Sequence, residues 1–262
     1  MTAYEGAILD VDGTIVRGEE LVPGAVDGLR AIDSAGIPRL LFSNNPTRGA
    51  AHYRERLGNH GIDVDPSTVL TSATVTAEVL AEREPEGTVF LIGHDRLRVI
   101  LEEAGIVVTA DPAEADVVVG SIDFEFDYEK LRRALAALNR EIPFYGTDPD
   151  VTIPTVDGSE PGSGAILAAM EAVAGREPDA IFGKPSETAA ERAIDRLGVP
   201  AADVLVVGDR LDIDVALGER AGMTTALVLT GSTDRASLAA SSIEPDHVLD
   251  SVGDVAELLA TE

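Results

Sequence analysis

Two aspartates follow the first apolar run of the sequence, with one residue between them. The stretch AILDVDGT, residues 7–14, places Asp10 and Asp12 where a buried strand would meet solvent. Two like charges this close repel each other unless a cation lies between them. A carboxylate can attack phosphorus and form an acyl phosphate, which makes Asp10 a candidate nucleophile. Asp12 is a candidate for the acid that protonates a departing alcohol and for the base that then activates water.

Other apolar runs also end in residues that could do chemistry. Ser43 and Asn44 follow PRLLF, Lys184 follows IFG, and Asp209 follows VLVVG. Ligands of open α/β sheets bind beyond the carboxyl ends of the strands, so we expect these residues to converge. Asp209 would add a third carboxylate to the first pair and complete an oxygen-only site suited to Mg²⁺. Lys184 is also a candidate catalytic residue, since its positive charge could stabilise the transferring phosphoryl group. With Ser43 and Asn44, which offer hydrogen bonds, it would bind the substrate.

The spacing of the aspartates does not by itself identify a site. The chain has 47 acidic residues, and the pattern D-x-D recurs at Asp63/Asp65, Asp148/Asp150 and Asp212/Asp214. We interpret Asp63/Asp65 as a solvated acidic turn and Asp212 as a surface residue. The pair at Asp10 and Asp12 differs because an apolar strand precedes it and the residues Gly-Thr follow it.

Short apolar runs alternate with segments of helical periodicity along the chain. Because the runs are continuously apolar, they are typical of strands buried on both faces, as in a parallel sheet covered by helices. The predicted strands lie in GAILDV, PRLLFSNN, TVFLIG, DVVVGSI, IPFYGT, DAIFGKP, VLVVGDR and TTALVLTG. The clearest predicted helices are 24–35, 128–139 and 186–197. The alternation indicates a doubly wound α/β fold.

The composition limits the class of protein. A chain of 262 residues that is 45% hydrophobic can bury one large core or a core with a second, smaller domain. The absence of cysteine excludes a thiolate nucleophile and cysteine-based metal sites. The net charge of −27 disfavours a nucleic-acid partner and resembles the proteins of extreme halophiles. With no signal-like start and no long apolar run, we expect a cytoplasmic protein without a membrane partner.

Four motifs in order resemble the haloacid dehalogenase (HAD) superfamily of phosphatases. They are DVDGT, LLFSNN, FGKP and VVGDRLDIDVALG. The stretch between Asn44 and Lys184, with YGTDPD followed by PGSGA, is similar to the NagD-type or 4-nitrophenylphosphatase-like branch. The resemblance implies a Rossmann-like core, roughly 1–77 plus 178–262, with an inserted α/β cap at 78–177. Some related caps mediate dimers, so a homodimer through the cap is a further expectation.

The resemblance also implies a role for each motif aspartate. Asp10 would be the nucleophile and Asp12 the general acid and base, with its backbone carbonyl offered to Mg²⁺. Asp209 would be a metal ligand, and Asp214 a supporting carboxylate near the metal. The expected activity is Mg²⁺-dependent hydrolysis of a small phosphorylated metabolite: a sugar phosphate, a nucleoside monophosphate, glycerol phosphate or phosphoglycolate.

Three residues depart from the family pattern. Pro46, after Asn45, stands where this branch tends to carry a small polar residue, and we expect it to have a local effect only. Ile213 stands where a threonine or similar polar residue precedes the last motif aspartate, which removes one hydrogen bond near the metal. Asp148 replaces the asparagine of the cap motif TNPD. If Asp148 faces the substrate, its negative charge would change the choice of leaving group.

Several alternatives remain open from the sequence alone. A receiver-type phosphoacceptor uses a similar acidic cluster, and a catalytically silent binding protein could keep the fold. In the predicted cap, His94, Phe124, Glu125, Phe126 and Tyr128 could shape specificity or could pack in the core and at its rim. The stretch PGSGA, 161–165, could approach the site closely or could simply begin a helix.

Overall fold

Two parallel β-sheets form the framework of the protein in a computed structural model that describes residues 4–155 and 158–259. Among these residues the larger sheet has six strands and the smaller one five, and two short antiparallel hairpins accompany them. The strands are β1 (Gly6–Leu9), β2 (Val16–Arg17), β3 (Glu20–Leu21), β4 (Arg39–Ser43), β5 (Val69–Thr71), β6 (Thr88–Ile92), β7 (Val107–Thr109), β8 (Val117–Gly120), β9 (Phe144–Gly146), β10 (Thr152–Thr155), β11 (Gly158–Pro161), β12 (Ala180–Ile181), β13 (Val204–Gly208), β14 (Thr224–Val228) and β15 (His247–Leu249).

Helices connect most of these strands. They are α1 (Ala25–Ala35), α2 (Ala50–Gly58), α3 (Ser72–Arg83), α4 (Asp95–Glu103), α5 (Tyr128–Leu138), α6 (Ser163–Ala174), α7 (Glu187–Leu197), α8 (Ala216–Ala221), α9 (Arg235–Ala240) and α10 (Ala256–Leu259). A π-helical turn, Leu211–Val215, precedes α8. In the described part of the chain, no helix combines the length and the apolar character that a bilayer crossing requires.

The predicted elements are confirmed. Every apolar run named above contains a strand, and the three predicted helices correspond to α1, α5 and α7. Helix α7 shows why its ends fall where they do. Ser186 accepts a hydrogen bond from the N–H of Ala189, which caps the first turn, and Gly198 ends the helix with the left-handed φ of 68° that glycine adopts readily.

The larger sheet places β1 near its middle. Its strand order is β15-β14-β13-β1-β4-β5, and the first five strands pair with their neighbours in parallel. All four residues of β1 are buried, and Leu9 pairs with Val207 on one side and Leu41 on the other. Burying each such leucine stabilises the fold by about 1.5–3 kcal/mol. The central strands therefore hold in place the residues that follow their carboxyl ends.

The chain divides into two compact units. The first contains the residues up to Ser43, Ala50–Leu70 and the residues from Lys184 onward, and includes the larger sheet. The second contains Asn44–Gly49 and Thr71–Gly183 and includes the smaller sheet, with strand order β12-β9-β8-β6-β7. The fold is therefore a doubly wound core with an inserted, smaller α/β cap domain, as predicted. The domain boundaries at 77/78 and 177/178 remain predictions.

Candidate active site

Three neighbouring strands of the larger sheet carry predicted site residues at their carboxyl ends. Asp10 follows β1, Ser43 ends β4, and Asp209 follows β13, with β1 lying between the other two strands. The N–H of Asp10 extends the strand ladder by donating to the carbonyl of Val207 at 2.9 Å. The three side chains therefore start from one edge of one sheet, where the strand order changes direction.

Lys184 supplies a buried positive charge beside Asp10. Its side chain is 1% exposed, and Nζ lies 2.8 Å from Asp10 Oδ1, 2.7 Å from Asp214 Oδ1 and 2.7 Å from the carbonyl oxygen of Phe42. These three oxygens match the three donors of an ammonium group. Burial acts to lower the pKa of Lys184, but the charges of Asp10 and Asp214 outweigh it and raise the pKa above its ordinary value. Lys184 is therefore held in its charged form.

Asp209 joins the two carboxylates that Lys184 contacts, which makes a cluster of three buried carboxylates. One oxygen each of Asp10, Asp209 and Asp214 lies within 4.8 Å of the other two. Burial raises the pKa of Asp10 well above its ordinary value, against the opposing effect of Lys184. Burial, reinforced by the charge of Asp214, raises the pKa of Asp209 to about 6. The pKa values of Asp10 and Asp209 rise for the same reason, because both carboxyl groups are buried away from water and lie close to other negative charges.

The cluster has the properties of a divalent cation site. Three carboxylates face a single ammonium, so the group carries excess negative charge. Oδ2 of Asp10 is buried and has no hydrogen-bond partner among residues 4–155 and 158–259. Carboxylate oxygens are the ligands that hard divalent cations take in proteins. Asp10, Asp209 and Asp214 therefore fit a divalent metal, while the side chain of Asp12 lies outside this cluster.

Glycines let the backbone approach these carboxylates closely. A Cβ at Gly13, where φ is 103°, would lie 2.5 Å from Asp209 Oδ2, and a Cβ at Gly231 would overlap the same carboxylate. A Cβ at Gly208 would overlap the side chain of Asp214. The glycine of the DVDGT stretch is thus required both by its backbone conformation and by the space that Asp209 occupies.

A π-helical turn positions Asp214. The N–H groups of both Asp214 and Val215 donate to the carbonyl of Arg210, at 3.0 and 3.2 Å, and the N–H of Arg210 donates to Asp214 Oδ2 at 3.2 Å. Such turns are often found at functional sites. Ile213 is buried in this turn, and Asp212 lies on the surface, paired with Arg210, as predicted. The effect of Ile213 on the metal site remains a prediction.

Asp12 is held by neighbours of its own. Its Oδ1 accepts a hydrogen bond from Arg56 Nη1 at 2.9 Å, and its Oδ2 accepts one from Ser43 Oγ at 3.2 Å. Tyr53 donates to Ser43 Oγ at 2.8 Å. Because the Ser43 hydrogen is directed at Asp12 here, the predicted contact of Ser43 with a phosphoryl group remains a prediction. No pattern in the sequence indicated Tyr53 and Arg56.

Asn44 was also predicted to bind the substrate. It belongs to the second unit, where its backbone carbonyl accepts a hydrogen bond from Ser72 Oγ at 2.7 Å. Its predicted contact with the substrate is not tested by these contacts and remains a prediction.

The pair Asp63/Asp65 has an ordinary structural role. Both residues are exposed, and Asp65 caps the short helix Pro66–Thr68 by accepting a hydrogen bond from the N–H of Ser67 at 2.9 Å. Its interpretation as a solvated turn is confirmed. The chemistry therefore follows from the strand that precedes Asp10, and the D-x-D spacing alone would have misidentified a site.

Asp148 lies inside the second unit. Its side chain is buried, and Oδ2 accepts hydrogen bonds from Thr147 Oγ1 at 2.9 Å and Ser163 Oγ at 2.7 Å. Burial, followed by the charge of Asp150, raises the pKa of Asp148 to about 7. These contacts do not test a role for Asp148 in the choice of leaving group, which remains a prediction. Asp148 is a buried carboxyl group that takes part in a hydroxyl network and titrates near neutrality.

The raised pKa of Asp148 predicts that Asp148→Asn stabilises the protein in a pH-dependent way. The pKa rises from an ordinary 3.8 to about 7, so the folded state keeps its proton longer than the unfolded state. The stability that this proton contributes is lost as the pH rises through about 7, and asparagine does not titrate. We expect the variant to gain up to a few kcal/mol at about pH 8 and clearly less at about pH 5.

Denaturant unfolding of both proteins at the two pH values measures this difference. Asp246→Asn serves as a control of opposite sign, because hydrogen bonds from Thr225 lower the pKa of Asp246. A stability gain for Asp148→Asn that does not change with pH would contradict the proposed titration of the buried carboxyl.

The stretch PGSGA opens helix α6. A Cβ at Gly162 would overlap the carbonyl of Asp150, and one at Gly164 would overlap the carbonyl of Pro149. The N–H of Gly164 donates to the Asp150 carbonyl at 2.9 Å. The glycines therefore allow a close approach between the start of α6 and the loop that contains Asp148.

The other cap residues considered from the sequence divide into two groups. Phe126 packs against the core of the second unit, and His94 caps α4 by accepting a hydrogen bond from the N–H of Arg96. Phe124, Glu125 and Tyr128 are exposed. A role in specificity for the exposed residues remains a prediction.

Comparison with known proteins places the chain in one family. Residues 7–107 match the model of the haloacid dehalogenase-like hydrolases, and residues 181–255 match a HAD-hydrolase-like model. An acid sugar phosphatase of Staphylococcus epidermidis is 34% identical over 94% of this chain and 95% of its own. The 5'-nucleotidase YutF of Bacillus subtilis is 32% identical over 96% and 97%.

A solved structure agrees with these relatives. The p-nitrophenyl phosphatase from Archaeoglobus fulgidus superposes with a TM-score of 0.93 and 36% identity, covering 98% of this chain and 99% of that one. The hypothesis of an enzyme is therefore confirmed over the phosphoacceptor and binding-protein alternatives. The chain belongs to the haloacid dehalogenase-like hydrolases, as a phosphatase of the NagD and 4-nitrophenylphosphatase branch.

Proposed function

We propose that the protein is a Mg²⁺-dependent hydrolase of small phosphomonoesters that acts through an aspartyl-phosphate intermediate. The observation that carries the proposal is the environment of Asp10 at the end of the central strand. One of its oxygens is bound by Lys184, and the other is buried with no hydrogen-bond partner in the described residues. A carboxylate fixed at one oxygen and free at the other is suited to nucleophilic attack.

The reaction has two steps that the chain's own residues can carry out. In the first, an oxygen of Asp10 bonds to phosphorus while the bond from phosphorus to the alcohol oxygen breaks, and Asp12 gives its proton to that oxygen. In the second, Asp12 takes a proton from water, the water oxygen bonds to phosphorus, and the bond to Asp10 breaks. Inorganic phosphate leaves and both aspartates return to their first state.

The metal is assigned to the cluster of Asp10, Asp209 and Asp214. These three carboxylates would hold Mg²⁺, and the family resemblance adds the backbone carbonyl of Asp12. When bound, the ion supplies positive charge for the phosphoryl oxygens. Lys184 keeps Asp10 and Asp214 in place and contributes a second positive charge beside the reacting group.

We propose small phosphorylated metabolites as substrates. The relatives named above are an acid sugar phosphatase, a 5'-nucleotidase and a p-nitrophenyl phosphatase, which supports sugar phosphates and nucleoside monophosphates as the first candidates. Glycerol phosphate and phosphoglycolate complete the set to be tested. A cytoplasmic location and a homodimer through the cap domain are part of the proposal.

Metal removal provides the direct test. We expect phosphate release from 4-nitrophenyl phosphate and from a panel of these metabolites in molar KCl with Mg²⁺, and loss of at least about 100-fold of that activity in EDTA. Adding Mg²⁺ back to the chelated enzyme should restore it, and the ranking of the panel identifies the preferred substrate. Activity that persists unchanged after complete metal removal would contradict the assignment of the cluster.

A further inference from the structure

The carboxylate of Asp12 is contacted on both of its oxygens. Arg56 of α2 donates Nη1 to Oδ1 at 2.9 Å, and Ser43 donates Oγ to Oδ2 at 3.2 Å. The side chain of Asp12 is nevertheless 43% exposed, whereas that of Asp10 is 10% exposed. An exposed aspartate would sample several rotamers if nothing held it, so these two contacts restrict its position.

Tyr53 lies behind the contact that Ser43 makes with Asp12. A carboxylate can only accept hydrogen bonds, so Ser43 gives its hydrogen to Asp12 and accepts from the Tyr53 hydroxyl at 2.8 Å. Tyr53 is fully buried. Burial, followed by the negative charge of Asp12, raises the pKa of Tyr53 well above its ordinary value, so the phenol keeps the proton that it donates. While Asp12 is ionised, the shorter contacts therefore run from Tyr53 to Ser43 to Asp12, and the Tyr53 hydroxyl also lies 3.5 Å from Asp12 Oδ2.

The contact through Arg56 is anchored at a second point. The other terminal nitrogen of its guanidinium, Nη2, donates to the carbonyl of Gly18, in the turn between β2 and β3. The Arg56 side chain is 13% exposed, so the ion pair with Asp12 is partly shielded from water. A planar guanidinium can bridge two acceptors in a way that a single ammonium does not reproduce. Arg56 thus ties the orientation of Asp12 to that turn.

We propose that Arg56 and Tyr53 are positioning residues that orient the Asp12 carboxyl group towards the leaving group and the attacking water. This inference rests on the proposed function, because it assigns Asp12 the acid and base role. Neither residue takes part in bond making. Each acts by limiting the orientations of the Asp12 carboxyl, and proton transfer requires the acid to lie within hydrogen-bond reach of the departing oxygen.

The test compares two leaving groups. A 4-nitrophenolate ion departs without protonation, whereas the alkoxide of glycerol phosphate or a sugar phosphate needs a proton from an acid. We expect Arg56→Met to lower kcat/KM for the alkyl phosphate at least about 10-fold more than for 4-nitrophenyl phosphate. The ratio of kcat/KM for the alkyl phosphate to kcat/KM for 4-nitrophenyl phosphate should also fall in Tyr53→Phe, but by less. In Arg56→Lys this ratio should lie between those of the wild type and Arg56→Met.

Controls separate this role from a structural one. Arg54→Met changes an exposed arginine of the same helix and should leave kcat/KM for both substrates unchanged. Asp12→Ala shows how far complete loss of the acid changes kcat/KM for the alkyl phosphate relative to 4-nitrophenyl phosphate. If Arg56→Met does not fold, Tyr53→Phe and Arg56→Lys carry the same comparison, since each conserves size or charge.

Each other outcome overturns the inference. Equal losses with both substrates would mean that Arg56 supports the fold, and a rise in KM alone would mean that it binds the substrate. Faster turnover of the alkyl phosphate would mean that the contacts hold Asp12 away from the reaction. If the wild-type enzyme with Mg²⁺ releases phosphate from no compound, the proposed function fails, and the inference fails with it.

Discussion

Asp10→Asn is expected to reduce phosphate release by at least about 1,000-fold while the protein remains folded. An amide oxygen is a poor nucleophile and does not form the acyl phosphate, so the first step is lost. The substitution keeps the shape of the side chain, and its amide oxygen can still accept the hydrogen bond that Lys184 Nζ makes to Asp10 Oδ1 at 2.8 Å. The loss should therefore appear in kcat for every substrate, whatever its leaving group.

Acid quenching of the enzyme mixed with radiolabelled substrate tests the intermediate directly. Wild-type protein should retain label on the chain, and Asp10→Asn should retain none. Asp212→Asn is a matched control, because Asp212 belongs to another D-x-D pair and is exposed beside Arg210. Turnover by Asp10→Asn near the wild-type rate, or label retained on the variant, would refute the nucleophile assignment.

The stability of Asp10→Asn adds a second expectation from the same cluster. Burial raises the pKa of Asp10, which means that the surroundings disfavour its charge. Removing one of three buried carboxylates should therefore leave the free energy of unfolding unchanged or higher in metal-free buffer. An inactive but unfolded variant would be uninformative about catalysis, so this measurement belongs with the kinetic one.

The sequence predicted the parts of this site that lie at strand ends. Asp10, Ser43 and Asp209 follow or end continuously apolar strands, and parallel pairing brings such ends to one edge whatever the loops between them do. Lys184 could be identified because the chain has so few lysines and this one follows an apolar run. These predictions depend on strand order and burial, both of which leave a clear pattern in the sequence.

The residues around Asp12 left no such pattern. Tyr53 and Arg56 lie in a short helix, 41 and 44 residues from Asp12, where one aromatic and one charged residue three positions apart do not by themselves indicate a site. Asp148 shows the reverse problem. An aspartate is expected to be a charged surface residue, but the fold buries this one against Ser163. Contacts between distant elements decide both cases, and one sequence does not encode them locally.

Lys184→Met is expected to destabilise the protein and to remove most of its activity. The Lys184 ammonium contacts Asp10 and Asp214 and is 1% exposed, so its loss leaves buried carboxylates facing one another. Removing one partner of a buried ion pair typically costs about 3–5 kcal/mol. Activity should fall by at least about 100-fold as well, because a fixed charge beside the phosphoryl group is lost.

Mg²⁺ should raise the free energy of unfolding more in Lys184→Met than in the wild type. The ion would then be the main positive charge available to Asp10, Asp209 and Asp214, which lie within 4.8 Å of one another. Denaturant unfolding with Mg²⁺ and with EDTA measures both effects. Lys130→Met is the control, since Lys130 is the only other lysine of the sequence. Lys130 Nζ also pairs with an aspartate, Asp123, at 2.7 Å, but the Lys130 side chain is 31% exposed.

A double substitution distinguishes lost charge balance from lost packing. Asp10→Asn combined with Lys184→Met removes both members of the pair, and so leaves fewer uncompensated charges than Lys184→Met alone. If electrostatics governs the site, the double variant should be more stable than the single one in EDTA, because an unpaired buried charge costs more than a pair replaced by neutral groups. If packing of the lysine side chain governs it, the two substitutions should add. A Lys184→Met variant as stable and active as Lys130→Met would show that Lys184 has been given the wrong role.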